Sequence, residues 1–471
     1  MKGKKRNSLI KVIGIIFLLY VVVSWLVPAG SFTSGEYVEG TTQPVGIFDL
    51  AYYPVITLGT FIQYGIVFMC IGGLYGVINK TGVYNKLVEG VTKKFHKKEQ
   101  LFLIITMVTI AIYASVTGLL LPLFVIFPFL VAIIVSLGYS KLTAIGATFG
   151  AMMAGQMGTT YGSNNSYLMN YLNLQVNYGI ASKVALLILV TGILVFFVLR
   201  YAKKESNKKE NVYIPLYDTK NKNERRSTLP LVIVGIVLGL LLTVSMFYWY
   251  YSFNIEFFNK LYENIIGVTV GKDYPIFKNI LGITSPFGYW GSYEMAAILI
   301  FTSVLIGWLY SVKFDNIMKG FMEGVKEMFP VALYVTIANI LFTVMLNNTE
   351  GNIAYTAIHW LGEARPNFSV IGTQILTIVS SLVYNDFNYL TGNIVANLTT
   401  IYTDTTVYPI LGLIVQATYG LVMLVAPVSF LLMGALRYAD LTFKEWIKYI
   451  WKYALIIFIL IFILGKILVM L

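Results

Sequence analysis

Apolar runs of about 20 residues, the length that crosses hydrocarbon as an α-helix, recur along this chain between short polar connections. They predict spans over about 9–28, 55–79, 180–199, 229–250, 294–312, 330–346 and 449–469. Residues 101–138 form an apolar stretch too long for one such helix, and Lys97, Lys98 and Lys141 flank it at both ends. A segment with both ends on one side must turn inside the bilayer. "ASVTG" and Pro122 mark the turn, with Ser115, Val116 and Thr117 at the tip of a re-entrant hairpin. Residues 369–403 take the same place later in the chain, with a polar tip at 384–393. Two further runs are interrupted: 142–178 at "GTTYGSNNSY", and 409–436 around 418–429. Continuous runs, rather than ten-residue alternation, argue against a β-barrel.

The two halves share one order: span, span, amphipathic helix (83–100 and 349–366), hairpin, broken span, span. The first set starts inside and the second outside. The expected fold is therefore an all-α polytopic membrane protein with about nine to eleven spanning helices. It has inverted repeats, each with a re-entrant hairpin and a discontinuous spanning helix. Residues 1–202 make the first repeat, 203–228 a flexible cytoplasmic linker, 229–293 a connecting helix and outer region, and 294–471 the second repeat. Inverted repeats with broken helices are the architecture of secondary transporters, with the binding site near the midplane.

Composition agrees with this reading. The chain is 57% hydrophobic and 12% charged, with a mean hydropathy of +0.74, where soluble domains carry about a quarter charged residues. The net charge of +12 invites a nucleic-acid partner, but its placement argues for topology. Of the 34 lysines and arginines, all but Lys183, Lys260, Lys272, Lys278, Arg365 and Lys466 fall on one predicted side. That asymmetry puts the N-terminus in the cytoplasm of a multi-pass cell-membrane protein. The basic start and apolar core of the first thirty residues read as a first span, since no A-x-A cleavage site follows. Cys70 is the sole cysteine, which excludes a disulfide framework, and His96 and His359 fall in polar connections expected to be solvated.

The richest polar chemistry inside an apolar context is "SSLVYNDFNYLTGNIVANL", residues 380–398. Asp386 is the one acid placed deep in the membrane, with no lysine or arginine expected at that depth. A buried, unpaired acid is either protonated or paired with something that comes and goes, such as a substrate cation, H+ or Na+; the alternative is a hydrogen-bonded structural acid. The two tips and two breaks are expected to converge. The candidate substrate-binding residues are Ser115 and Thr117; Gly158, Thr159, Thr160, Ser163, Asn164 and Asn165; Tyr384, Asn385, Asp386, Asn388, Thr391 and Asn393; and Thr418. Freed N–H groups at half-helix starts suit a carboxylate, and exposed C=O groups with Asn, Ser and Thr suit a cation. A coupling Na+ is expected near Asp386 or Asn164, or else H+ serves, with no other cofactor. Tyr161, Ser163, Asn164 and Asn165 either bind ligand or satisfy the helix break. Pro427 shapes the second break, and Gly72, Gly73 and Gly76 permit close helix packing.

"VPAGSF", "GGLYGVINKTGVYNKLVEG" and "PVSFLLMGALRYADLTFKEWIKYIWK" resemble the YfcC-like carriers, which group with DcuC-type dicarboxylate carriers in the ion transporter superfamily. The resemblance implies a scaffold and a mobile transport domain, elevator-type alternating access, commonly a homodimer, and substrates among amino acids, peptides and carboxylates. Two positions depart from the family pattern. "YGSNN" at 161–165 replaces its NPF, and "YNDFNYLTG" replaces its PSGSG-like second tip. Asp386 is extra, which favours a substrate bearing positive charge such as a basic amino acid. The expected function is secondary active transport of an amino acid or small organic ion, with a carboxylate or peptide as the alternative cargo. The rival classes are a membrane-embedded enzyme and a channel. Paired catalytic acids are not placed at depth, and a G-x-x-x-x-G-K-[ST] sequence is absent.

Overall fold

The structure is a computed structural model that describes residues 8–33, 35–205, 213–219, 221–223, 225–270, 274–347, 351–365 and 367–470. Among the described residues the regular elements are helices apart from two short β-ribbons. One ribbon pairs β1 (Ser31–Thr33) with β2 (Glu36–Val38), with Phe32 opposite Tyr37. Eight helices among the described residues are long and apolar enough to cross a membrane, or nine if one bent pair is a single span. That is the lower edge of the expected range.

The first half contains α1 (Ser8–Leu26), α2 (Asp49–Thr81), α3 (Tyr84–Phe95), α4 (Glu99–Thr117), α5 (Leu120–Ser136), α6 (Lys141–Met157), α7 (Ser163–Tyr171) and α8 (Ile180–Glu205). Next come α9 (Leu229–Met246) and three short helices, α10 (Trp249–Phe253), α11 (Phe257–Ile266) and α12 (Ile276–Leu281). The second half contains α13 (Ser292–Leu309), α14 (Phe314–Ile337), α15 (Ile340–Asn347), α16 (Ile353–Ala364) and α17 (Val370–Val383). It continues with α18 (Phe387–Leu390), a π-helical turn over Thr391–Val395, α19 (Ala396–Ile401), α20 (Tyr408–Val425), α21 (Phe430–Ala439) and α22 (Phe443–Met470).

Sequence explains the central packing. At 33 residues, α2 is about 50 Å long and overshoots the hydrocarbon. It stops at Gly82, whose φ of +73° is the left-handed conformation that glycine adopts without penalty. Its glycines meet those of α14. A Cβ on Gly72 would strike Gly324 O, and one on Gly76 would strike Gly320 O. Small residues spaced by whole turns let two backbones touch, which is how helices gain packing energy in lipid. Gly73, by contrast, faces the Phe321 ring.

The first hairpin is α4 and α5. Both of its arms touch α3: Phe102 packs on Phe95 at 5.0 Å between ring centroids, and Phe129 on Tyr84 at 6.4 Å. The tip lies one residue beyond the predicted one. Ser115, Val116 and Thr117 stay helical, and the chain turns at Gly118 with φ +69°. The second hairpin is α17 through α19, closed at its base by Phe368 on Tyr402 at 5.3 Å. At 17 and 14 residues, α5 and α17 fall below the eight crossing-length helices, whereas α4, at 19 residues, is one of them.

The first break starts at Gly158 as expected but ends at 162, because residues 163–167 of the expected 158–167 are already helical in α7. The second is shorter than expected. α20 continues to Val425, so Thr418 lies within a helix and the break is 426–429, at Pro427. Gly420 does not break the helix; it lets α20 lie against Met157 of α6.

Three other expectations need correction. The described part of the 203–228 linker is docked rather than free: Asn79 Nδ2 donates to Leu216 O, Asn85 Nδ2 to Thr219 O and Tyr438 OH to Pro215 O. His359 is not simply solvated, because it stacks on Tyr37 at 3.9 Å. Lys183, inside the predicted span 180–199, is buried where no lysine is expected at depth. It occupies the first turn of α8 and is 2% exposed.

Candidate substrate-binding site

Each hairpin tip is stitched to one break. In the first half, Ser115 Oγ donates to Gly158 O at 2.7 Å, and Thr160 N–H donates to Ser115 O at 2.9 Å. Gly118 lies so close to the second helical half that a Cβ there would meet Ser163 N at 3.1 Å. In the second half, Asn385 Nδ2 donates to Val428 O at 2.8 Å, and Tyr419 OH donates to Asn385 O at 2.7 Å. Asn385 also donates to Asn339 Oδ1, at the bend between α14 and α15. The two halves are tied together at Gln416, whose Nε2 donates to Met157 O and Thr159 O.

These contacts enclose a cavity of about 200 Å3. Gly118 to Pro122 reach it from the first tip, Asn164 from the start of α7 just past the first break, Asn385 to Phe387 from the second tip, and Ser429 to Leu431 from the second break. Tyr64 of α2 and Met246 of α9 complete the wall. A larger crevice of about 690 Å3 separates the first hairpin from α9 and α13, but no Asp, Glu, Lys, Arg or His lines it. Polar chemistry selects the smaller cavity.

Asp386 is half-buried here. Its Oδ1 accepts from Asn388 N–H at 2.9 Å and Tyr389 N–H at 3.2 Å, capping the helix that starts at Phe387. One oxygen thus performs the structural task and the other is available to the cavity. Two more helix starts, those of α5 and α21, face the same space. Leu121, Phe430 and Leu431 N–H have no acceptor among the described residues. Helix N-termini of this kind present donors and a positive partial charge. Gln156 is fully buried, and among the described residues neither atom of its amide has a partner. A buried unsatisfied amide is costly unless a ligand or water completes it.

Three of the predicted residues line this cavity: Asn164, Asn385 and Asp386. Ser115, Gly158 and Thr160 form the stitch behind it. Asn165 donates to Thr160 O and Val176 O, and Ser163 adjoins Gly118. Thr117, Thr159 and Thr391 spend their hydroxyls on nearby backbone carbonyls. Tyr384 bonds Asn352, and Asn393 accepts from Tyr355 OH. Asn388 Oδ1 and Thr418 Oγ1 are buried, and neither has a partner among the described residues.

Sequence reasoning missed Gln156, Tyr64, Tyr419 and Lys183. Gln156 had a signal: it is a lone amide in the small-residue run just before the Gly-Thr-Thr break. Lys183 stands in the first turn of the predicted span 180–199, and only the packing around it reveals its burial.

Residues 7–470 match the family described as DcuC, C4-dicarboxylate anaerobic carrier. The chain is 24% identical over 370 residues to an uncharacterized protein of Haemophilus influenzae, covering 76% of this chain and 60% of that one. A solved structure, the Alcanivorax borkumensis YdaH transporter, aligns over 98% of both chains with 12% identity and a TM-score of 0.40. The family match spans almost the whole chain, so this protein belongs to the family described as DcuC, C4-dicarboxylate anaerobic carrier.

Proposed function

We propose that the chain moves a small zwitterion, an amino acid, across the cell membrane by alternating access. One observation carries this reading: Asp386 shares one small cavity with the unpaired helix-start amides of Leu121, Phe430 and Leu431. A free carboxylate facing free N–H groups is complementary to a molecule with an ammonium at one end and a carboxylate at the other. The α-amino group satisfies Asp386, so a basic side chain is not required. Gln156 supplies both a donor and an acceptor between these poles. The 690 Å3 crevice supports an elevator-type step, because it leaves the first hairpin loosely packed against α9 and α13. In this reading the group carrying both tips slides once Asp386 is neutralised by substrate together with H+ or Na+. The lysine and arginine asymmetry supports a cytoplasmic N-terminus.

The family description favours a second reading, in which the cargo is a C4-dicarboxylate and Asp386 is protonated as it binds. Counterflow in liposomes separates the two. Protein loaded with a panel of amino acids and C4-dicarboxylates is challenged with each in turn, at several pH values and with or without Na+. The zwitterion reading expects exchange of amino acids that free carboxylates do not inhibit. Exchange of dicarboxylates alone overturns it. Gln156→Leu is expected to raise the substrate KM by about tenfold, the loss of roughly 1.5 kcal/mol of hydrogen bonding to a charged group. An unchanged KM would remove Gln156 from the site.

A further inference from the structure

Lys183 is the one lysine or arginine among the described residues that the fold buries completely. Its Nζ donates to Asn165 Oδ1, and among the described residues no carboxylate pairs with it. An ammonium only donates, so it fixes the orientation of Asn165: the amide oxygen must face Lys183. Asn165 Nδ2 is thereby turned to Thr160 O at 2.6 Å and Val176 O at 2.9 Å. Thr160 N–H donates in turn to Ser115 O of the first tip. One positive charge therefore stands at the end of a hydrogen-bond chain that runs through the first break to the hairpin. Asn164, next in sequence, lines the cavity.

The carbonyl end of α6 carries negative partial charge, and unwound backbone with Asn and Thr around it is the setting in which broken-helix transporters hold a coupling cation. A lone ammonium in that setting leaves no net need for a soluble one. We propose that Lys183 is a resident cation that serves the first break in place of an ion from solution. The exchangeable cation or proton is then confined to the Asp386 side. Lys183 lines neither cavity, so its role is to position the first break and tip.

The test uses full-length Lys183→Ala and Lys183→Gln in detergent, melted in NaCl, in KCl and in N-methyl-D-glucamine chloride. Removing the ammonium should open a vacancy that a small cation fills. Sodium or potassium is expected to raise the melting temperature of the variants by at least about 3 °C more than that of the parent. In liposomes, uptake by the variants should fall about tenfold or more in the organic cation, a loss near 1.4 kcal/mol, and recover in Na+ or K+. Variants whose melting responds to cations as the parent does overturn the proposal, and so does a variant that folds in none of the three salts. Folding rescued by Na+ or K+ supports it. The uptake arm rests on the amino-acid carrier reading. The melting arm does not, so failure of that reading leaves the melting result interpretable.

Discussion

Asp386→Asn is expected to cut uptake by about 30-fold or more, the cost of removing one partner from a desolvated charge pair. The same change should leave stability nearly intact, because Asn caps a helix about as well as Asp does. The amide oxygen can still accept from Asn388 and Tyr389 N–H, so α18 keeps its start. Asp386→Ala removes both roles and should also cost about 1 kcal/mol of stability. Uptake and melting measured on both variants separate the capping role from the charge. Wild-type uptake in Asp386→Asn would assign the acid to capping alone. Dicarboxylate uptake that persists in Asp386→Asn but loses its pH dependence would favour the second cargo, because the amide imitates a protonated acid.

Gly324→Leu should have the largest effect on folding. The α2–α14 contact is backbone on backbone at Gly72 and Gly324, so no flexible side chain can move aside for the new one. Overpacking of this kind costs roughly 3 kcal/mol or more. Loss of a monodisperse peak in size-exclusion chromatography, or a melting temperature lowered by about 6 °C or more, would report it. The control is Gly239→Ala on α9, where nothing lies within 4 Å of the added Cβ. Helix propensity alone then applies, and the change should be neutral or stabilising by up to about 1 kcal/mol. Equal melting temperatures for the two variants would contradict this account of the α2–α14 contact.

The features legible in the sequence are those that local chemistry decides. Lysines at 97, 98 and 141 bracket the α4–α5 pair, and both of its arms touch α3. Asp386 stood out because an acid in an apolar run must have a reason to be there. What escaped depends on partners distant in sequence. "TYG" at 418–420 reads as a helix breaker, yet Gly420 is a packing contact with Met157 and the helix runs on to Val425. The described residues between 213 and 226 have the composition of a loose linker, but their backbone is held by Asn79, Asn85 and Tyr438. Gln156 and Lys183 lacked the clustering that drew attention to 380–398. Their importance appears only when burial and missing or unusual partners are seen in three dimensions.

The most direct measurement is substrate protection of cysteines placed on three of the cavity walls. Cys70 is the only native cysteine and is buried, so Cys70→Ala gives a clean background. Leu121→Cys, Asn164→Cys and Phe430→Cys then report the first tip, the start of α7 just past the first break and the second break, all of which line the one cavity. The convergence of tips and breaks predicts that a transported substrate slows thiol labelling at all three positions, while a cysteine at Ile283, fully exposed far along the chain, labels at an unchanged rate. Labelling at 121, 164 and 430 that is indifferent to every transported substrate would contradict the shared chamber.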